Sequence, residues 1–268
     1  MEFIFNLLKY RIETPTMYGW FHILFLVITI AVVVLLSLKL KKPSDKLLNI
    51  IFLIAGLTML VLECYKQFVF TYSYESFEVI SDFQWYTFPF QFCSVPMYIY
   101  LIIPFTKGKA RNALMAFASS YALFAGTAVM LYPADVFIEL LGISIQTMVH
   151  HGLMVVIGLY LLISRVVKVS FKNLLSATIV FSIVIALALV MNLTVIKFIP
   201  EGETFNMFYI SPYFDCTLPL LSIIYKKVPY VAFLIIYILG FGLIAGIVNL
   251  IYYGIDKLIV KIKVKLNN

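Results

Sequence analysis

Apolar runs of roughly 18 or more residues recur along the whole chain, and each is long enough to cross a hydrocarbon core of about 30 Å as a helix. Composition agrees with that reading. Of 268 residues, 63% are hydrophobic and only 12% are charged, against about 25% charged in an ordinary globular domain. So much apolar surface needs lipid as its solvent. No Gly/Ser-rich linker, low-complexity tract or internal repeat interrupts the runs. The expected fold class is an all-α polytopic membrane bundle, with residues 1–268 forming one domain.

Seven spans are expected, near Met17–Leu38, Leu47–Cys64, Tyr86–Phe105, Ala113–Leu131, Ser144–Ile163, Leu174–Ile196 and Pro229–Tyr253. The first lacks a small-residue cleavage site before Lys39 and reads as a retained span rather than a signal peptide. A net charge of +7 could suggest nucleic acid, but the cations are distributed as topology signals instead. Alternate connections carry Lys39, Lys41, Lys42 and Lys46; Lys107, Lys109 and Arg111; Arg165, Lys168 and Lys172; and Lys257, Lys261, Lys263 and Lys265. The positive-inside rule then puts the N-terminus outside and the C-terminus in the cytoplasm. Trp20, Trp85, Tyr86, Tyr132 and Tyr230 fall near the outer boundaries, where amphipathic rings favour the headgroup region.

Two stretches are not spans. Asp135–Gly142 reads as an interfacial turn or short helix. Residues 200–228 are too aromatic for a solvated linker of that length, and read as a lid folded onto the outer mouth, with a merely interfacial loop as the alternative.

Ionisable side chains at membrane depth are costly and usually face a bundle interior. Here they are His22, Glu63, Cys93, His150 and His151, joined by Gln91, Gln146 and Asn192. Counting from the inner basic anchors, Cys93 and His151 both lie about 21 Å above them, with His22 and Glu63 about one turn higher. Residues from four spans thus share one level, which suggests a cavity opening outward. A thiol and an imidazole at equal depth can form a nucleophile and its base.

Bland readings stand beside these. Cysteine is often buried as a small hydrophobe. His150 and His151 point about 100° apart on a helix, so only one faces Cys93 squarely. His22 and Glu63 also suit a structural interhelical bond. Cys64 and Cys216 fall on the outer side, where a disulfide is permitted. Three histidines without tight spacing give no metal-site signature. Gly242 and Gly246 have the small-xxx-small spacing of helix packing.

Phe88-Pro89-Phe90-Gln91-Phe92-Cys93, His151-Gly152-Leu153, Asn192, Asn206-Met207-Phe208-Tyr209 and Val228-Pro229-Tyr230 together resemble the motifs of the bacterial YwaF-like integral membrane proteins and their eukaryotic relatives, the transmembrane-protein-164 acyltransferases. The resemblance runs from about Met17 to Gly246. It implies acyl transfer by a cysteine and a downstream histidine, at the positions of Cys93 and His151. Gln91 replaces the histidine that the family carries two residues before its cysteine.

The expected function is therefore a lipid acyltransferase or lipid hydrolase acting on a membrane phospholipid or acyl-lipid. Cys93 and His151 would be catalytic. His22, Glu63, Gln91, Gln146, His150, Asn192, Asn206 and Tyr209 would support or line the cavity. No cofactor and no nucleic acid is called for, protein partners stay open, and the expected location is a bacterial plasma membrane. The alternative is a non-enzymatic protein that binds or moves a lipid or small solute through the same cavity.

Overall fold

A computed structural model of the chain describes residues 1–266. A short helix α1 (Glu2–Leu8) precedes α2 (Trp20–Lys39) and α3 (Asp45–Thr71). A hairpin of β1 (Tyr72–Glu75) and β2 (Glu78–Ser81) follows, then α4 (Val95–Ile102), α5 (Gly108–Phe117) and α6 (Leu123–Leu131). The remaining helices are α7 (Leu141–Ile163), α8 (Phe171–Val195), α9 (Leu221–Tyr225) and α10 (Tyr230–Leu266). Helix starts follow local chemistry: the hydroxyls of Ser44 and Ser170 accept the Leu47 and Asn173 N–H groups, capping α3 and α8.

The described residues are mainly helical, and six helical stretches are long and apolar enough to cross a membrane: Trp20–Lys39, Asp45–Thr71, Gly108–Leu131, Leu141–Ile163, Phe171–Phe198 and Tyr230–Leu258. They match six of the seven expected spans. α5 and α6 form the fourth expected span, joined through a π-helical turn at Ala118–Ala122. α7 is the central column: 72% of its apolar window is buried, against 17% for the last stretch. The exposed faces of α2 and α10 are rows of large apolar side chains, Val27, Ile30 and Val34 on one and Ile235, Leu239 and Leu243 on the other, which lipid would solvate. Small residues admit α6 and α7 to close contact. A Cβ at Gly126 would lie 2.8 Å from the His151 carbonyl oxygen, and one at Gly158 would lie 2.7 Å from the Leu123 Cβ.

The third expected span, Tyr86–Phe105, is not one helix. It begins as a single 3₁₀ turn at Trp85–Thr87, opens into extended chain at Phe88 (φ −47°, ψ 132°), and becomes helical only from Val95. Proline is the physical reason. Pro89 disfavours helical geometry at Phe88, while Pro96 is tolerated only in the first turn of α4. Non-helical backbone among apolar helices is tolerated where protein surrounds it, and here protein does.

That protein is the segment 200–228. Phe205, Met207, Phe208, Ile210, Ser211 and Cys216 are all buried, so the segment inserts into the bundle. Two side-chain amides grip it. Asn192 donates to Met207 O (3.0 Å) and accepts from Met207 N–H (2.8 Å). Gln91 donates to Asn206 O (3.1 Å) and accepts from Phe208 N–H (2.8 Å). Tyr237 donates to Phe208 O, and Tyr230 to Ile210 O. This grip holds Phe208 (φ 58°) and Tyr209 (φ 56°) in left-handed geometry that bulky residues rarely adopt.

The basic connections gather at one end of the bundle. Arg111 at the start of α5 approaches Asp45 at the start of α3 (4.0 Å), and Arg165 after α7 pairs with Asp256 on α10 (2.9 Å). Tyr160 near the end of α7 donates to Leu40 O after α2. At the other end, the turn before α7 is laced to the N-terminal tail by Leu141 N–H to Tyr10 O and by the exposed Arg11–Glu139 pair. Cys64, Cys93 and Cys216 are all free thiols, so the disulfide that the sequence permits between Cys64 and Cys216 is not formed.

Candidate functional site

Cys93 sits where the extended stretch turns into α4, half-buried, its carbonyl oxygen free of the helix ladder. The nearest imidazole reaches that oxygen: His150 Nε2–H donates to Cys93 O at 2.8 Å. A carbonyl only accepts, so His150 carries its proton on Nε2 and a lone pair on Nδ1. His151, the next residue of α7, turns the other way and donates Nδ1–H to Thr147 O at 2.7 Å. Its lone pair is therefore on Nε2. The two rings lie 5.5 Å apart, both buried.

Cys93 and α7, expected to lie side by side, meet at His150. The direct contact is with His150, and it runs through the backbone of Cys93. Among the described residues the Cys93 thiol makes no hydrogen bond to either histidine; its polar neighbours are the Ser94 side chain and its own backbone. Covalent geometry nevertheless keeps Sγ within about 8 Å of His150 Nε2 in any rotamer.

A charged pair flanks these groups. Glu63, buried on α3, takes a salt bridge from Lys66 Nζ (2.7 Å) and a hydrogen bond from Gln67 Nε2 (2.8 Å). Gln67 also donates to Thr87 O (2.7 Å), tying α3 to the stretch that leads to Cys93. The Lys66 charge reaches Cys93 and both imidazoles, whereas Glu63 reaches Cys93 only. The expected second span stops at Cys64, which leaves Lys66 outside it. The helix runs to Thr71, and the i, i+3 spacing to Glu63 was the available signal.

The other expected site residues divide. Gln91 and Asn192 hold the 206–208 backbone, as described above. Asn206 braces the same loop, accepting from Ser211 N–H (2.8 Å) and donating to Asp215 O (3.3 Å). Tyr209, whose side chain is exposed, is within electrostatic reach of Cys93; desolvation first, and the thiols of Cys93 and Cys216 second, push its phenol up. Gln146 lies one turn before His150 on α7 and accepts from the Thr147 hydroxyl at 3.4 Å. His22 does not join the site. Its Nδ1 accepts from Tyr18 N–H (2.9 Å) and its Nε2–H donates to Met130 O (2.8 Å). With both nitrogens engaged, it ties α2 to the end of α6. The bland alternative holds there, with a partner other than Glu63.

Among the described residues no three His, Cys, Asp or Glu side chains come together as metal ligands. The arrangement supplies a thiol, two neutral imidazoles with opposite nitrogens free, and one cation.

The model of the TMEM164 family matches residues 17–253. No curated protein and no solved structure matches the chain.

Proposed function

From the premise that this chain belongs to the TMEM164 family, we propose that it is a lipid acyltransferase or lipid hydrolase with Cys93 as nucleophile and His151 as its base. The observation that carries the reading is the bond from His150 to the Cys93 carbonyl at 2.8 Å. It anchors α7 at His150 against the backbone of Cys93, with His151 the next residue of the same helix.

Chemistry follows from the tautomers. His151 Nε2, left free by the bond to Thr147, takes the Sγ proton as sulfur attacks the ester carbonyl carbon of a membrane phospholipid or acyl-lipid. The lipid alkoxide leaves with that proton, and the acyl group stays on Sγ as a thioester. Lys66 supports the developing oxyanion by its charge. A second lipid or water then releases the acyl group. Apo catalytic contacts are commonly loose and tighten with substrate, which accommodates a thiol not bonded to its base.

The finer topology belongs to the same proposal. Seven crossings arise if the extended stretch from Phe88 and α4 together make the third, with the N-terminus outside and the basic connections in the cytoplasm. The site then opens to the outer leaflet of a bacterial plasma membrane. The deciding experiment incubates purified protein with phospholipid and looks for a hydroxylamine-labile acyl adduct on Cys93. Its absence under conditions where lipid is bound would overturn covalent catalysis.

One observation favours the second reading, a non-enzymatic lipid or small-solute binding protein. The segment from Phe205 to Ser211, buried except at Tyr209, would occupy the outer mouth as a plug does. Lipid retention without any adduct or turnover would favour it.

A further inference from the structure

We propose that His150 Nδ1 binds the hydroxyl of the acyl acceptor and serves as its general base, so that the two adjacent imidazoles divide the two halves of an acyl transfer. The inference rests on the Cys93 nucleophile proposed above and names the acceptor chemistry that reading leaves open.

The orientation of the ring is fixed. Its Nε2–H is committed to the Cys93 carbonyl oxygen at 2.8 Å, so the lone pair is on Nδ1. That Nδ1 is buried and has no hydrogen-bond partner among the described residues, in a side chain only 2% exposed. Buried polar atoms of this kind are rare and call for a partner. The neighbouring His151 differs, since its carbonyl bond lies within its own helix and leaves Nε2 for the thiol.

A lone pair accepts; it cannot hold the ester of the donor lipid, which has no N–H or O–H to give. An alcohol does. The acceptor class is therefore a hydroxyl compound, a lipid alcohol or water.

In the second half-reaction the acyl group is on Cys93 Sγ. The acceptor oxygen attacks the thioester carbonyl carbon while its proton passes to His150 Nδ1. The C–S bond breaks, sulfur leaves with the electron pair, and Nδ1 returns the proton to Sγ. The products are the new ester, or a free fatty acid from water, and the original thiol with a neutral ring. While the ring is cationic its Nε2–H bond to the Cys93 carbonyl becomes charge-assisted and stronger, which stabilises the intermediate without moving the chain.

The test uses His150→Gln, because a glutamine amide can still donate to the Cys93 carbonyl but is not a base. Full-length protein is given a phospholipid with a labelled acyl chain, with 1-monoacylglycerol as acceptor. Adduct on Cys93 should build within about threefold of wild type, while transfer to monoacylglycerol and release to water both fall about 100-fold, the scale of a lost general base. His151→Gln should form no adduct. Ester against free fatty acid among wild-type products tells a lipid alcohol from water. Wild-type transfer by His150→Gln, or a block before the adduct, overturns the proposal.

A second measurement needs no turnover. In ¹⁵N-histidine-labelled Cys93→Ala protein, the His150 Nδ1 resonance, assigned by its loss in His150→Gln, should move with monoacylglycerol and stay still with its dimethyl ether. An Nδ1 signal that ignores monoacylglycerol overturns the hydroxyl site. A shift in a protein whose wild type forms no adduct sustains the hydroxyl site and sinks the cysteine nucleophile instead.

Discussion

Asn192 holds Met207 by both edges of its peptide unit, donating to the carbonyl at 3.0 Å and accepting the N–H at 2.8 Å, entirely out of solvent. Asn192→Leu removes both partners and leaves two backbone groups unsatisfied, each costing about 1–3 kcal/mol. A loss of roughly 2–6 kcal/mol is expected on that basis, read as a lower melting temperature in detergent. Burial also keeps the Cys216 thiol pushed up and poorly reactive. Loosening the 206–211 segment should therefore speed maleimide labelling of Cys216. Unchanged labelling in Asn192→Leu would show that the segment does not depend on this amide.

Lys66 and Glu63 should be coupled. Removing one partner of a buried pair costs about 3–5 kcal/mol, and the Gln67 bond to Glu63 holds Lys66→Met near the lower figure. The double substitution Glu63→Gln with Lys66→Met removes both charges and should recover most of the loss. Melting of the four proteins in one detergent gives the cycle. A double variant no more stable than Lys66→Met would mean the pair is not the reason for the loss.

Much of this architecture is legible in the residue order, because lipid imposes a length and a composition on every crossing. Six stretches appear at nearly the expected positions, and Cys93 meets α7, as counting residues from basic anchors suggested. Two features escape that arithmetic. Hydropathy averages over Pro89 and Pro96 and so reports one apolar run where the backbone opens between them. Depth carries no azimuth either, so it could not tell that His22 faces Met130 or that His150 rather than His151 reaches Cys93. The aromatic content of residues 200–228 did signal burial, whereas the two amides that grip the segment come from distant helices and leave no local pattern.

Gly126 offers a steric test of α7. A valine there would drive its side chain against the His151 carbonyl and the Met154 Cβ, both within 2.8 Å of the added Cβ. Backbone must move, and overpacking of this kind costs about 1–3 kcal/mol. Gly126→Val should lower the melting temperature and also reduce labelled-lipid turnover beyond what the stability loss explains, since the imidazoles shift with the helix. Gly254→Ala, where nothing lies within 4 Å, serves as the neutral control. Equal behaviour of the two variants would refute close α6–α7 packing at this level.

The orientation in the bilayer can be decided by reporters. Asp45, Arg111, Arg165 and Asp256 mark one end of the bundle, and the positive-inside rule assigns that end to the cytoplasm. A fluorescent-protein fusion at the C-terminus should light up, and a periplasm-dependent phosphatase at the same place should stay silent. The reverse pattern would move the site to the inner leaflet.

The sharpest chemical expectation concerns the three free thiols, which the structure places in different surroundings. Cys64 is exposed on α3 and Cys216 is buried in the inserted segment, while Cys93 meets His150 of α7 through its carbonyl oxygen. Cys93→Ser should abolish acyl transfer, because a hydroxyl is far harder to deprotonate than a thiol, which ordinarily loses its proton near about pH 8.5. His151→Ala should cost a comparable factor, since a nucleophile and its base act as one unit and their losses do not add. The double variant should then be no worse than either single one. Cys64→Ser and Cys216→Ser should keep activity within about threefold, the scale of a change of under 1 kcal/mol. Each variant is first matched to wild type in expression and melting, because lost packing can imitate lost chemistry. A folded Cys93→Ser protein with full transfer to an identified acceptor would rule out the thioester, and with it the division of labour between the two histidines.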